Sequence, residues 1–300
     1  MFEGCGTALV TPFRRDFSLD ERALHALVRR QIDAGIDFLV PCGTTGENPT
    51  LSREEHLRVV EITMEEAAGR VPVLAGAGGY NTGEVVALAK ELESMRVDGI
   101  LSVTPYYNKP TPDGLYQHYK AIASAISLPV IVYSVPRRTA TNVDTAMLKR
   151  LAEIDNIVGI KEASGDITQI ASVLGHLPEN FVVLSGDDAL ALPIIALGGK
   201  GLISVVSNEI PAEMTQLIRY CLEGDFERAR HLQRRFLPLM EVNFVETSPI
   251  PVKSAMAAMG LLEPVWRLPL CAPRPENEEK IRGVLECLGL VGDRHVARAN

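Results

Sequence analysis

The stretch Val71-Pro72-Val73-Leu74-Ala75, then Thr82–Met95, then Gly99-Ile100-Leu101-Ser102-Val103, carries the pattern from which the fold is read. Two short runs of apolar, β-branched residues flank a segment with helical periodicity. Acid in the first turn after Thr82 (Glu84) suits a helix N-terminus, where backbone N–H groups favour negative charge. The apolar runs are nearly continuous instead of alternating, as parallel strands covered on both faces require. Strand, helix, parallel strand is the βαβ unit.

The same unit recurs along the chain. Further apolar runs are Gly6–Val10, Phe38–Pro41, Pro129–Tyr133, Ile157–Ile160, Phe181–Leu184 and Gly201–Val205, giving eight in all. Helical patterns lie between them, such as Asp20–Ala34, Ser52–Ala68 (Ser52 capping, with Glu54 and Glu55 in the first turn) and Gly114–Ile126. Eight strand–helix units predict an α/β fold, a (β/α)8 TIM barrel. A doubly wound open sheet, the alternative, normally has fewer strands. After Val206 the strand signal stops. Pro211–Leu222 closes the eighth unit, and Phe226–Val242, Pro251–Gly260 and Asn277–Leu288 read as helices. This divides the chain into a barrel over 1–224 and a C-terminal helical extension over 225–300, packed on the barrel.

Composition narrows the function classes. Of the 300 residues, 46% are hydrophobic and 23% charged, enough for a large core, and the formal net charge is -8. That balance, with only short Arg-Arg pairs, argues against a nucleic-acid track. The five cysteines (Cys5, Cys42, Cys221, Cys271, Cys287) are scattered, with no C-x-x-C, as in a reducing compartment. The N-terminus lacks the signature of a signal peptide, and no apolar run has membrane-spanning length. The expected location is cytoplasmic.

Active sites of such barrels lie where strands run into the following loops. Of eight lysines, only Lys161 ends a buried strand at that face, in Ile157-Val158-Gly159-Ile160-Lys161-Glu162. Lys90, Lys120, Lys149 and Lys280 fall on helices, Lys109 in a loop, Lys200 at a strand start, and Lys253 begins an apolar helix where it packs or pairs. Desolvation of Lys161 at its strand end favours the neutral amine that forms imines. An ion pair with Glu162 is the other reading of the same position. Tyr133 ends the neighbouring strand and is either a proton shuttle or a core tyrosine. Thr44 and Thr45 offer hydroxyls in a tight turn that holds a carboxylate or merely closes a loop. The six histidines lack metal-ligand spacing, and Gly76–Asn81 breaks the dinucleotide fingerprint at its last position. No metal or other cofactor is expected.

With these residues in view, the chain resembles the dihydrodipicolinate synthase family of pyruvate-dependent class I aldolases, from Thr7 to about Leu262. The motifs that carry the resemblance are Gly43-Thr44-Thr45-Gly46-Glu47, Tyr106-Tyr107-Asn108-Lys109-Pro110, Tyr133 with Pro136 and Arg138-Thr139, and Gly159-Ile160-Lys161-Glu162. The resemblance implies that Lys161 forms a Schiff base with pyruvate, with Tyr133 as general acid and base. Thr44 and Tyr107 complete a hydroxyl relay, Tyr107 reaching in from a neighbouring subunit of a homotetramer. Thr44 and Thr45 hold the pyruvate carboxylate, and Gly186 and Ile203 line the pocket. Arg138 binds the carboxylate of L-aspartate 4-semialdehyde, giving 4-hydroxy-tetrahydrodipicolinate for diaminopimelate and lysine synthesis. Relatives acting on sugar acids, hydroxy-oxoglutarate or sialate share the lysine and tyrosine but generally lack that arginine; a keto-acid-binding barrel without turnover would have lost the lysine or tyrosine. Two residues depart from the family pattern, Ser134 for the usual asparagine and Arg137 for a small residue. An effector site for lysine is implied near Tyr106, at Asn48, His56, Tyr80 and Glu84. Arg53, cationic where sensitive bacterial forms carry histidine, predicts weak or absent lysine inhibition.

Overall fold

The computed structural model describes residues 2–292. Eight parallel strands, β1 (Gly4–Ala8), β2 (Phe38–Val40), β3 (Leu74–Gly76), β4 (Gly99–Val103), β5 (Val130–Ser134), β6 (Ile157–Glu162), β7 (Val182–Ser185) and β8 (Gly201–Ser204), pair in the order β2-β1-β8-β7-β6-β5-β4-β3. A Leu39–Val73 parallel bridge joins the two ends. The Leu39 N–H donates to Pro72 O and the Gly76 N–H to Pro41 O, both at 2.9 Å. The barrel is therefore the predicted (β/α)8 fold.

Outside it run α1 (Glu21–Asp33), α2 (Arg53–Ala67), α3 (Thr82–Ser94), α4 (Pro112–Ala125), α5 (Pro136–Thr139), α6 (Thr145–Leu151), α7 (Ile167–His176), α8 (Ala191–Ala196) and α9 (Pro211–Leu222). Then follow α10 (Phe226–Val242), α11 (Ile250–Ala258) and α12 (Pro275–Leu288). Ser52 and Glu55 cap α2 reciprocally, each satisfying the other's free backbone N–H. The cap of α3 lies one residue earlier than expected: Asn81 accepts from the Gly83 N–H, and the Thr82 hydroxyl meets His118 Nδ1 instead, at 2.9 Å.

Two strands are also displaced from the apolar runs. In the third run Pro72 has no N–H to give, Val73 makes a single bridge to Leu39 with its N–H spent on Asp98 Oδ2, and the ladder to β4 begins at Leu74. The first strand starts at Gly4, two residues early, because Gly4 pairs with Gly201 at an approach only glycine permits. A Cβ on Gly201 (φ +153°) would sit 2.0 Å from the Gly4 carbonyl oxygen.

Side chains fill the barrel interior, where Phe38, Leu74, Leu101, Ile131, Leu184 and Ile203 meet. A larger core fills the space between strands and helices. The helices after Phe226 join this packing: Val252 and Met256 of α11 bury against Val10, Leu27 and Val205, and Phe236 and Leu239 of α10 enter the outer core. No helix among the described residues is long and apolar enough to cross a membrane. His295 and the last eight residues of the predicted extension lie outside the described residues.

One buried acid ties barrel to extension. Glu209 follows β8, and its Oε2 accepts from Asn243 Nδ2 at 2.5 Å. Its Oε1 and Asn243 Oδ1, both buried, have no donor among the described residues. Burial pushes this carboxyl well above its ordinary 4.5, against the opposing hydrogen bond from Asn243, and so favours the protonated form, the one that brings a donor to the pair. The folded chain keeps this proton after the unfolded chain has released it. The resulting stabilisation is full below about pH 4.5 and is lost as pH rises through the raised folded value. Glu209→Gln, which presents its own N–H without a proton, is expected to flatten this pH dependence. It should also raise the melting temperature at pH 8 by roughly 2–5 °C, read by thermal unfolding across pH.

Candidate active site

Tyr133 on β5 and Lys161 on β6 are register partners at the C-terminal ends of their strands. Pairing alone thus places the phenol beside the amine, and Lys161 Nζ lies 4.4 Å from the Tyr133 ring centroid. Both side chains are buried. Burial pulls the Lys161 ammonium down to about 8; the Asp188 carboxylate opposes this and the Arg138 charge adds to it. Burial raises the Tyr133 phenol, with the Arg138 charge and a hydrogen bond from Thr44 pulling it back.

Glu162 does not pair with Lys161. Its carboxylate accepts from the Ser164 N–H at 2.7 Å and from Gln169 Nε2 at 3.3 Å, outside the strand end. Alternation along the strand sends the two neighbours to opposite faces, so only Lys161 enters the barrel.

Space for the lysine depends on the next strand's exit. A Cβ on Gly186 would stand 2.8 Å from Ala163 Cβ and 3.1 Å from Lys161 Cε. Ile203 is fully buried in the interior beneath, in one cluster with Tyr133 and Leu184. A small cavity beside Tyr133 is lined by Cys42, Gly43, Thr44, Ala77 and Val103 among others, so Thr44 and Tyr133 face one space. Thr45, the next residue, is buried.

Arg138 stands on α5, just past β5, and its Nη2 donates to the Ser248 carbonyl at 2.8 Å. Arg137 turns elsewhere. It is exposed, and its guanidinium covers Gly165 in the β6–α7 loop, within 3.3 Å of where a Cβ would stand. Tyr107 is 90% exposed, has φ +69°, and does not line the cavity at Thr44.

The remaining predicted positions gather in a separate cavity of about 220 Å³, lined by Asn48, Arg53, His56, Asn81, Glu84 and Tyr106 among others. Tyr80 packs edge-on against Tyr106, ring centroids 5.2 Å apart. Burial lowers His56 to about 4, so it is neutral at pH 7. Arg53 also lines this cavity and pairs through Nε with Glu91 Oε2 at 3.0 Å.

Sequence reasoning passed over Asp188. It is buried, accepts from Ser204 Oγ at 2.5 Å and from the Val205 N–H at 3.1 Å, and burial raises it to about 6. Its field on Lys161 depends on how β7 and β8 end together. Among the described residues no cluster of His, Cys, Asp or Glu is arranged to hold a metal ion.

A strand-borne, desolvated lysine facing a buried tyrosine inside a (β/α)8 barrel defines a lyase of the class I aldolase type. The profile of the Dihydrodipicolinate synthetase family matches residues 1–288. The chain is 53% identical to a 4-hydroxy-tetrahydrodipicolinate synthase of Koribacter versatilis, over 98% of this chain and 99% of that protein. It is 49% identical to a protein of the same name from Archaeoglobus fulgidus, over 97% and 100%. The crystal structure of dihydrodipicolinate synthase from Aquifex aeolicus superposes with a TM-score of 0.94 at 46% identity, covering 96% of this chain and 99% of that one. The chain belongs to the dihydrodipicolinate synthetase family.

Proposed function

We propose that this chain is a 4-hydroxy-tetrahydrodipicolinate synthase, condensing pyruvate with L-aspartate 4-semialdehyde on the route to diaminopimelate and lysine. The observation that carries the mechanism is the register pairing of Tyr133 with Lys161 inside the barrel. The neutral Lys161 amine attacks the pyruvate ketone carbon. Tyr133, which lines one cavity with Thr44, gives a proton to the departing hydroxyl, which leaves as water, and the imine forms. Loss of a methyl proton gives the enamine, which adds to the aldehyde carbon of the acceptor. The acceptor's own amine then attacks the imine carbon, closes the ring and frees Lys161. Thr44 and Thr45 hold the pyruvate carboxylate, Arg138 holds that of the acceptor, and Gly186 and Ile203 shape the pocket. The chemistry needs no metal or other cofactor, since the imine itself is the electron sink.

An exposed tyrosine held in a left-handed conformation supports a role for Tyr107 in a neighbouring subunit of a homotetramer, completing the relay there. The shared cores support one continuous catalytic unit, with 225–300 as an extension of the barrel over 1–224. Five free cysteines fit a cytoplasmic enzyme. The cavity at Asn48, His56, Glu84 and Tyr106, with Tyr80 beside it, is the effector site. Arg53 lines that cavity as a cation that its pairing with Glu91 only partly offsets, and on that ground millimolar lysine is expected to leave the initial rate within roughly twofold; strong inhibition in a rate titration would refute this.

The primary test is turnover of pyruvate with L-aspartate 4-semialdehyde, coupled to a reductase that consumes the cyclic product. Turnover supports the synthase. Trapping of pyruvate on Lys161 by borohydride, without turnover, moves the acceptor to a sugar acid or a related aldehyde.

A further inference from the structure

The turn bearing Thr44 and Thr45 is held by the C-terminal extension. Within the turn, the Gly46 N–H donates to Gly43 O and the Glu47 N–H to Thr44 O, both at 3.1 Å. Glu47 closes it at φ +53°, a region unfavourable for a residue with a side chain. Its carboxylate is fully buried: Oε1 accepts from Lys253 Nζ at 2.5 Å, and Oε2 from the Arg267 N–H at 3.2 Å. Lys253, on α11 and also fully buried, donates to Thr11 O at 3.1 Å and lies 4.5 Å from the Phe13 ring. Thr11 in turn donates its hydroxyl to Gly46 O at 2.7 Å. Arg267 lies over the same ring and donates to Thr50 O and to both oxygens of Glu55.

A buried ion pair is a poor device for stability alone, because apolar residues of like volume often do as well or better. What it supplies is location: two charges in low dielectric tolerate few alternative placements. Here it fixes the residue that ends the Gly43–Glu47 turn. The same segment of the extension, five residues earlier, offers the Ser248 carbonyl to Arg138.

We propose that Glu47 and Lys253 are positioning residues, through which the C-terminal extension sets the Thr44–Thr45 turn in the geometry that receives the pyruvate carboxylate. This rests on the reading of Thr44 and Thr45 given above. It makes the extension part of the substrate site without contributing a group that touches substrate.

Lys253→Met alone leaves a buried, unpaired carboxylate and destabilises the fold. The informative variant is therefore Glu47→Gln/Lys253→Met in the full chain, which removes both charges and keeps the volume. The readout is the pyruvate concentration giving half-maximal borohydride trapping on Lys161, which needs no acceptor. A folded double variant is expected to need about tenfold more pyruvate, with its KM for the semialdehyde changed less than about twofold. A folded double variant with unchanged half-saturation overturns the proposal. If the double variant does not fold, Arg267→Leu releases the extension's side-chain hold on Thr50 and Glu55, which follow the turn directly: a rise of roughly threefold in half-saturation supports the proposal, and an unchanged value overturns it. Wild-type protein that traps no pyruvate overturns both this inference and the reading it rests on. Trapping without turnover overturns only the acceptor assignment.

Discussion

Lys161→Met is expected to abolish turnover while making the protein more stable. Loss of the nucleophile removes the covalent route entirely, a fall on the order of 10⁴-fold or more in kcat. The stability gain follows from the same burial that activates the amine. The folded state lowers the Lys161 pKa from 10.5 to about 8 and so resists the charged form. That cost is full below about pH 8 and vanishes above the unfolded value of 10.5. Removing the amine therefore stabilises the fold at pH 6 by up to about 3 kcal/mol and not at all at pH 11. Denaturant midpoints of wild type and variant at the two pH values read this directly. In the wild type, log kcat/KM for pyruvate is expected to rise with unit slope and level off near pH 8, as the free amine forms. A variant of unchanged stability at pH 6, or a flat pH profile, would place the working amine elsewhere.

The second large effect is expected at Arg138. One N–H of its guanidinium goes to Ser248 O, which fixes the group and leaves the rest of its planar fork for a carboxylate. Arg138→Ala should lower kcat/KM for the semialdehyde by about 10²–10³-fold, the loss of a charge-assisted, two-point contact to the substrate carboxylate. Arg138→Lys should recover only part of this, since a point charge cannot reproduce the bidentate geometry. Pyruvate trapping at saturation should persist in both. Because the Arg138 charge also depresses Lys161, its removal should move the rising limb of the pyruvate profile, and the pH at which it levels off, upward. Equal losses for pyruvate and semialdehyde in steady-state kinetics would show that Arg138 supports the pocket as a whole.

The relation of sequence to site differs from residue to residue. Lys161 and Tyr133 were legible because each ends an apolar run, and parallel register then sets them side by side. Local pattern is enough when a contact is made by backbone pairing. Lys253 was legible only as a lysine in an apolar helix that packs or pairs; its partner, Glu47, is separated from it by 206 residues. Asp188 was passed over, and Arg137 was visible only as an unusual cation next to Arg138. Neither the field of the first nor the direction of the second is a property of neighbouring residues. Arg137 and Arg138 are adjacent in sequence, yet one covers Gly165 and the other meets Ser248.

By itself, then, the sequence determined the barrel, its count of strands, the placement of catalytic candidates at strand ends and the family. Periodicity, turn chemistry and short motifs are local, and a repeated βαβ unit has few ways to close. Only the tertiary structure decided where β1 and β3 begin and that Glu162 leaves Lys161 unpaired. It also decided that Glu209 is buried with one carboxyl oxygen unpartnered and that the extension grips the turn ending at Glu47. These depend on close approach and on dielectric: how near Gly4 comes to Gly201, and which charges lose their water together. Burial of a charge is settled by everything packed around it, and that is assembled from segments hundreds of residues apart.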